Sequence, residues 1–296
     1  MFVKSIKEVS QFTRPIHSIM RTYSGEIIPG AATLFFINED GYAITCKHVL
    51  ELLLDAERAK VNYDLFKDKR TSLTIGKKYN QRLKELEKEH GITDKNTIVQ
   101  IKNRFIDCIE CNQLNWKYWV HPQYDLAVIK FEDYNNILYN GYARFPNTPS
   151  YIDQGKFLCR IGYPFPEFTN YKFDKEKDDI EFTHDGNQST PIFPIEGMVT
   201  RFIAAPDSKV FAIELSTPGL RGQSGGPLFD ENGIICGMQS MTHHLHLGFD
   251  LVKQDIVINN VHKKVDDYAF LHLGNCIHFE VIKEFLTENS IKFYTA

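Results

Sequence analysis

The segment Gly222-Gln223-Ser224-Gly225-Gly226-Pro227-Leu228 places three glycines and a proline around one serine, and no regular helix can start directly behind it. Read literally, Gly222-x-Ser224-x-Gly226 matches the nucleophile elbow of a doubly wound hydrolase, which requires strand, serine, helix and then an acid and a histidine further along the chain. Pro227, Asn232 and Gly233 deny that helix, and too few residues remain beyond Ser224 for the rest of such a sheet. The doubly wound fold is thereby set aside. The glycines permit a tight turn that exposes the hydroxyl and leaves main-chain N–H groups free to face a developing oxyanion.

The remaining pattern is one of short β-type runs. Gly30 to Ile37, the turn Asn38-Glu39-Asp40-Gly41 and Tyr42 to Cys46 read as a hairpin, and Glu51 to Lys60 switches to helical spacing. Lys77 to His90 consists of strong helix formers ended by Gly91, with a narrow apolar face suited to the surface. The clearest strand of the first half is Tyr124-Asp125-Leu126-Ala127-Val128-Ile129-Lys130-Phe131. Tyr139 to Tyr151, rich in Asn, Pro and Gly, predicts a connector between two halves. Strands are expected at 157–161, 195–203, 210–215 and 233–238, and a helix over 279–288 from its apolar spacing. Tyr171 to Thr190 carries a dense charged run and is expected to be a mobile loop. Many short strands with few helices predict an all-β barrel or sandwich protein.

Composition narrows the class further. Of 296 residues, 43% are apolar against 24% charged, which suits a large core and excludes disorder. Lys and Arg total 34 and Asp and Glu 38, a formal charge of −4 without a basic stripe, so nucleic-acid partners are not expected. No apolar run approaches the length of a membrane span, so no membrane association is expected. The first residues show no export signal, which predicts a cytoplasmic protein with its six cysteines reduced. Cys108 and Cys111 form a lone C-x-x-C and are read as ordinary thiols.

Serine alone is a weak nucleophile and needs a base and an orienting carboxylate. His48 ends the strand of the first hairpin, Asp125 opens the Asp-Leu-Ala-Val-Ile strand, and the chain order is His, Asp, Ser. Thr45-Cys46-Lys47-His48-Val49, Asp125-Leu126-Ala127-Val128-Ile129, Gly162-Tyr163-Pro164 and Gly222 to Leu228 together resemble the signatures of trypsin-like, chymotrypsin-fold serine peptidases, closest in flavour to HtrA-type protease domains without a PDZ domain. The resemblance implies two six-stranded antiparallel β-barrels with the active site between them. A C-terminal helix and a helical insertion in the N-terminal half would complete the fold. The halves would be residues 1–145, carrying His48, Asp125 and an insertion at about 55–118, and residues 146–296, carrying Ser224 and the final helix. It implies Ser224 as nucleophile, His48 as general base, Asp125 as the carboxylate that orients it, and the N–H groups of Gly222 and Ser224 as oxyanion hole.

Two departures from digestive relatives carry meaning. The aspartate that receives a newly cut N-terminus in those enzymes is here Gln223, so activation without N-terminal cleavage is expected. The position of trypsin's specificity aspartate is Pro218, and a pocket formed with Leu220, Gln239 and Ser240 is expected to take a small or apolar residue. His243, His244 and His246 invite a metal reading, but three histidines in a loop without an obvious carboxylate partner more often belong to a cleft or surface loop, and neither metal nor cofactor is expected. The expected partner is a protein or peptide substrate, with a regulatory protein in reserve; oligomeric state is left open. Two other readings share these residues: a latent or inactive fold of this type used as a peptide-binding module, and a serine esterase.

Overall fold

The computed structural model describes residues 1–258 and 261–296. Two β systems share one hydrophobic core. In the first, six antiparallel strands lie in the order Ile98–Phe105, Thr13–Thr22, Ile27–Phe36, Tyr42–Thr45, Ala127–Glu132 and Asn115–Val120. The Asn38 turn forms as expected: the Asn38 side chain accepts from the Asp40 N–H at 3.0 Å, and Gly41 takes φ +78°. In the second system, Phe157–Gly162, Phe193–Ala204, Val210–Leu215, Phe270–His278, Ile235–His246 and Pro227–Phe229 form a closed antiparallel barrel. Phe157–Gly162 closes it by pairing with both Phe193–Ala204 and Pro227–Phe229.

Of the two barrels expected, the N-terminal one is therefore an open, half-barrel sheet. Its two edge strands meet through aromatic side chains: Phe105 stands edge-on to Trp116 at 6.3 Å and to Phe131 at 4.9 Å. The edge strand Ile98–Phe105 and the start of Asn115–Val120 fall within the 55–118 stretch, so what projects from the sheet there is helical. Helix α1 is Val3–Val9 and α2 is Lys47–Thr71. The start of α2 enters the main core through Val49, Leu50 and Leu53, and its far end joins a satellite cluster of Tyr63, Phe66, Leu86, Ile92 and Val99. Helix α3, Tyr79–Glu89, stops at Gly91 (φ +72°), where Ile92 N–H donates to Glu87 O and Gly91 N–H to Lys88 O, a Schellman ending.

The charged run expected to be mobile is instead folded and packed. Tyr171–Asp174 and Asp179–Phe182 pair as a hairpin, and Ile180 with Phe168 joins Ile19 in a small core to which Phe173 and Phe182 contribute. The charges that mask this alternation in sequence serve as a clamp. Asp178 accepts from Arg21 at 3.0 Å and from the Tyr63 hydroxyl at 3.1 Å, and Lys102 pairs with Asp179 at 2.6 Å.

Beyond Ser240 the Ile235–His246 strand leaves the barrel, still paired with Phe270–His278 out to His246 opposite Phe270. A further hairpin, Leu251–Ile258 with Val261–Asp267, prolongs this arm. Helix α4, Phe279–Glu288, buries Phe279, Val281, Ile282, Phe285 and Leu286 as its spacing predicts, with His278 Nδ1 accepting from the Glu280 N–H. Among the described residues no helix is long and apolar enough to cross a membrane.

Candidate active site

Strand Tyr42–Thr45 ends at Cys46, whose extended backbone (φ −75°, ψ 150°) precedes α2 and sets His48 in the first helical turn. Across the sheet, the turn leading into Ala127–Glu132 carries Asp125; it is shaped by His121 Nδ1, which accepts from the N–H groups of Gln123 and Tyr124. The aspartate receives the His48 main-chain N–H at 3.0 Å and the His48 Nδ1–H at 2.9 Å, a tautomer that follows from the carboxylate having only acceptors. Ser240 adds a third donor, its hydroxyl 2.6 Å from Asp125 Oδ2.

Burial pushes the Asp125 carboxyl upward, but the bonds from His48 and Ser240 together outweigh it and hold the group at about 2. His48 is shifted the other way. The Asp125 hydrogen bond raises it above the ordinary imidazole value against the opposing effect of desolvation. The pair is thus an ionised carboxylate bound to an imidazole that is half exposed toward the cleft.

The serine loop is fixed by contacts that leave no room for side chains. A Cβ on Gly222 (φ +91°) would lie 2.4 Å from Tyr163 O, and one on Gly225 (φ +85°) 2.1 Å from Thr33 O. Thr33, on the Ile27–Phe36 strand of the other half, binds the loop twice: its N–H donates to Ser224 O at 3.0 Å and its hydroxyl to Gly222 O at 2.7 Å. Among the described residues, neither the Gly222 nor the Ser224 N–H donates to a protein acceptor. The Ser224 hydroxyl donates to Ser240 O over a long 3.4 Å and makes no bond to His48. The structure thus joins His48 to Asp125 and sets Ser224 beside Ser240, with the last contact, Ser224 to His48, unmade.

A family model described as the trypsin-like peptidase domain matches residues 32–238, more than half of the chain and all of the stretch from His48 through Ser224. The chain belongs to the trypsin-like peptidase family. Among solved structures, the crystal structure of the Rv3671c protease from M. tuberculosis in its active form is similar, at 11% identity and a TM-score of 0.47 over 99% of this chain and 86% of that one. No curated protein matches in sequence.

Beside Ser224 this trypsin-like domain has a cavity of about 450 Å³. Pro218, Leu220, Gln239 and Ser240 line it, and so do Arg221, Thr242, His244 and His272, which sequence reasoning did not place there. The last three belong to the base of the arm, whose course no local pattern announces. Ser240 was assigned to the pocket wall alone; its hydrogen bond to Asp125 was missed, since sequence gives no sign of which strand reaches that carboxylate. His246 pairs with Asp250 at 2.8 Å, and His244 meets His272 across the arm's two strands.

Cys46, His48 and Asp125 have potential ligand atoms within 4.8 Å of one another, a metal-like grouping. Their chemistry argues otherwise. The Cys46 thiol donates to Gln239 O at 3.2 Å, and burial first, then the Asp125 charge, drive it well above the usual thiol value, so it stays a neutral thiol; His48 Nδ1 is already spent on Asp125. All six cysteines are free thiols, including Cys108 and Cys111.

Proposed function

We propose that the protein is a serine endopeptidase that cleaves peptide bonds through an acyl-enzyme, with Ser224 as nucleophile, His48 as base and Asp125 as its orienting carboxylate. The observation that carries this is the double grip of Asp125 on His48, by main chain and by ring, which leaves Nε2 without a protein partner among the described residues. In the reaction the Ser224 proton passes to His48 Nε2 as Oγ bonds to the substrate carbonyl carbon. The oxyanion forms against the free N–H groups of Gly222 and Ser224. Collapse breaks the C–N bond while His48 returns the proton to the departing amine, and water then repeats the sequence to release the acid.

No cleaved N-terminus is needed in this reading. Gln223 is fully buried, its amide donating to Phe193 O at 3.1 Å and its carbonyl oxygen accepting from the Leu220 N–H at 3.1 Å. Neutral bonds therefore fold the loop where an ion pair would otherwise be required. A second reading, a latent peptidase awaiting a partner or ligand, draws on the Ser224 hydroxyl facing Ser240 O rather than His48.

Fluorophosphonate labelling of the purified chain beside a Ser224→Ala control, read by intact mass and peptide mapping, tests both. An adduct on Ser224 alone is the expected result. No adduct in the isolated chain, with one appearing on addition of a partner, supports latency, and no adduct under any condition overturns the enzyme.

A further inference from the structure

One side chain beneath the pocket has no role in the chemistry above. Arg160, on the first strand of the closed barrel, is fully buried. Its guanidinium donates to Gln239 Oε1 at 3.0 Å, to Thr217 O at 2.7 Å, to Thr217 Oγ1 at 2.9 Å and to Pro218 O at 2.6 Å. Every one of these partners is neutral, and its Nε has no partner at all. Among the described residues no carboxylate pairs with it. A fixed positive charge in a barrel interior without a counter-ion is costly unless something of opposite charge sits nearby for part of the cycle.

The place where that charge can be answered is the adjoining cavity. Two of the residues Arg160 grips, Gln239 and Pro218, are lining residues of the pocket beside Ser224. Arg160 thereby stands one side chain behind its wall. The lining itself includes no Asp or Glu, and it adds a second guanidinium, exposed Arg221, at the rim. His244 and His272 line the arm side, their Nδ1 atoms hydrogen-bonded at 2.5 Å. Gln239 is held with its oxygen toward Arg160 and its amide nitrogen toward Met241 O, so its dipole is set by the buried charge. The apolar expectation came from the Pro218-Gly219-Leu220 wall; folding adds Arg221, His244 and His272 to the lining, beside Met241.

We propose that this pocket selects an acidic side chain, Glu or Asp, at the substrate residue that supplies the scissile carbonyl, with Arg160 acting as a positioning residue through Gln239 and the 217–218 carbonyls. The proposal rests on the serine peptidase reading of Ser224. Selection follows from charge: a carboxylate entering the pocket meets the Arg221 guanidinium at the rim and the field of Arg160 behind the wall, with no Asp or Glu in the lining, while a lysine or arginine meets like charge.

The test compares kcat/KM of the full chain on fluorogenic peptides that differ only at that residue: Glu, Asp, Gln, Ala, Leu and Arg. Glu against Gln is decisive because the two have the same shape. Glu is expected to lead Gln by roughly ten- to hundredfold, the range of a charge-assisted hydrogen bond in a partly desolvated site. Short peptides ending in Glu or Gln, used to slow fluorophosphonate labelling, give the same ratio without turnover. Arg160→Lys should retain a Glu preference and Arg160→Met should bring the ratio toward one, whereas a merely structural arginine would lower both substrates alike. Arg221→Ala, a surface change that does not put folding at stake, should reduce the ratio by a smaller factor. Parity of Glu and Gln, or preference for Leu, while Ser224 still takes the label overturns this inference and leaves the peptidase reading standing. Failure of both labelling and cleavage removes the two together.

Discussion

On the N-terminal side of the cleft, His48 is locked to a carboxylate that also receives Ser240, and both the ring and its main-chain N–H are held. On the C-terminal side, Ser224 has a rigid main chain but a hydroxyl on a long, weak bond to Ser240 O. In the triad proposed here, the base is already held in the resting molecule and the nucleophile is only placed. What the proposed triad still lacks is a hydrogen bond from the Ser224 hydroxyl to His48. Rigidity here belongs to backbone geometry and freedom to a single hydroxyl.

The sharpest way to break this comparison is to remove the nucleophile. Ser224→Ala should abolish labelling and lower peptide turnover by several orders of magnitude with no loss of folded protein. Asp125→Asn should follow, with roughly a 10⁴-fold loss of kcat/KM through the wrong imidazole tautomer. It also tests the electrostatics: because Asp125 holds His48 above the ordinary value, wild-type labelling should rise with pH through a limb lying higher than that of a free imidazole, and the substitution should move that limb to lower pH. A limb that stays in place would show that the carboxylate does not govern the base.

The backbone side of the comparison is addressed by Gly225→Ala. Its Cβ would collide with Thr33 O at 2.1 Å in a left-handed conformation, so a loss of at least about 2 kcal/mol in denaturant unfolding is expected, together with loss of labelling. Stability with little effect on chemistry is the expectation for Arg21→Ala. Arg21 bonds Gln100 at 2.7 Å, Tyr63 at 2.8 Å and Asp178 at 3.0 Å, and its loss should cost about 1–3 kcal/mol while labelling of the remaining folded protein is preserved. Smallest of all, Lys117→Ala breaks an exposed pair with Glu132 and should leave the unfolding midpoint unmoved.

What could be read from the sequence was local or motif-borne. The Asn38 turn, helices α3 and α4 and the strand 210–215 lie where turn chemistry and apolar spacing put them. His48 was placed at a strand end and stands in the first turn of α2, since the helical pattern begins earlier than its apolar residues reveal. Long-range pairing was not legible. Nothing near Ile98 or Asn115 shows that these strands close on opposite edges of one sheet, and the Lys-Glu-Lys-Asp-Asp run hides a hairpin whose Tyr171, Phe173, Ile180 and Phe182 are spaced for packing. The pocket illustrates the same point: Pro218 and Leu220 sit beside the serine in sequence, whereas Arg160 and His272 arrive from strands about 60 and 50 residues away, a placement only tertiary pairing decides.

Thr33 links these observations. Its hydroxyl accepts from the Tyr163 N–H and donates to Gly222 O, its N–H donates to Ser224 O, and its carbonyl accepts from the Thr45 hydroxyl beside the strand that leads to His48. In mechanical terms it is a rivet that fastens the nucleophile loop to the base-bearing half. Four hydrogen bonds through one residue thus tie the serine loop to the strand that precedes His48, so the spacing between the two rests on a single threonine.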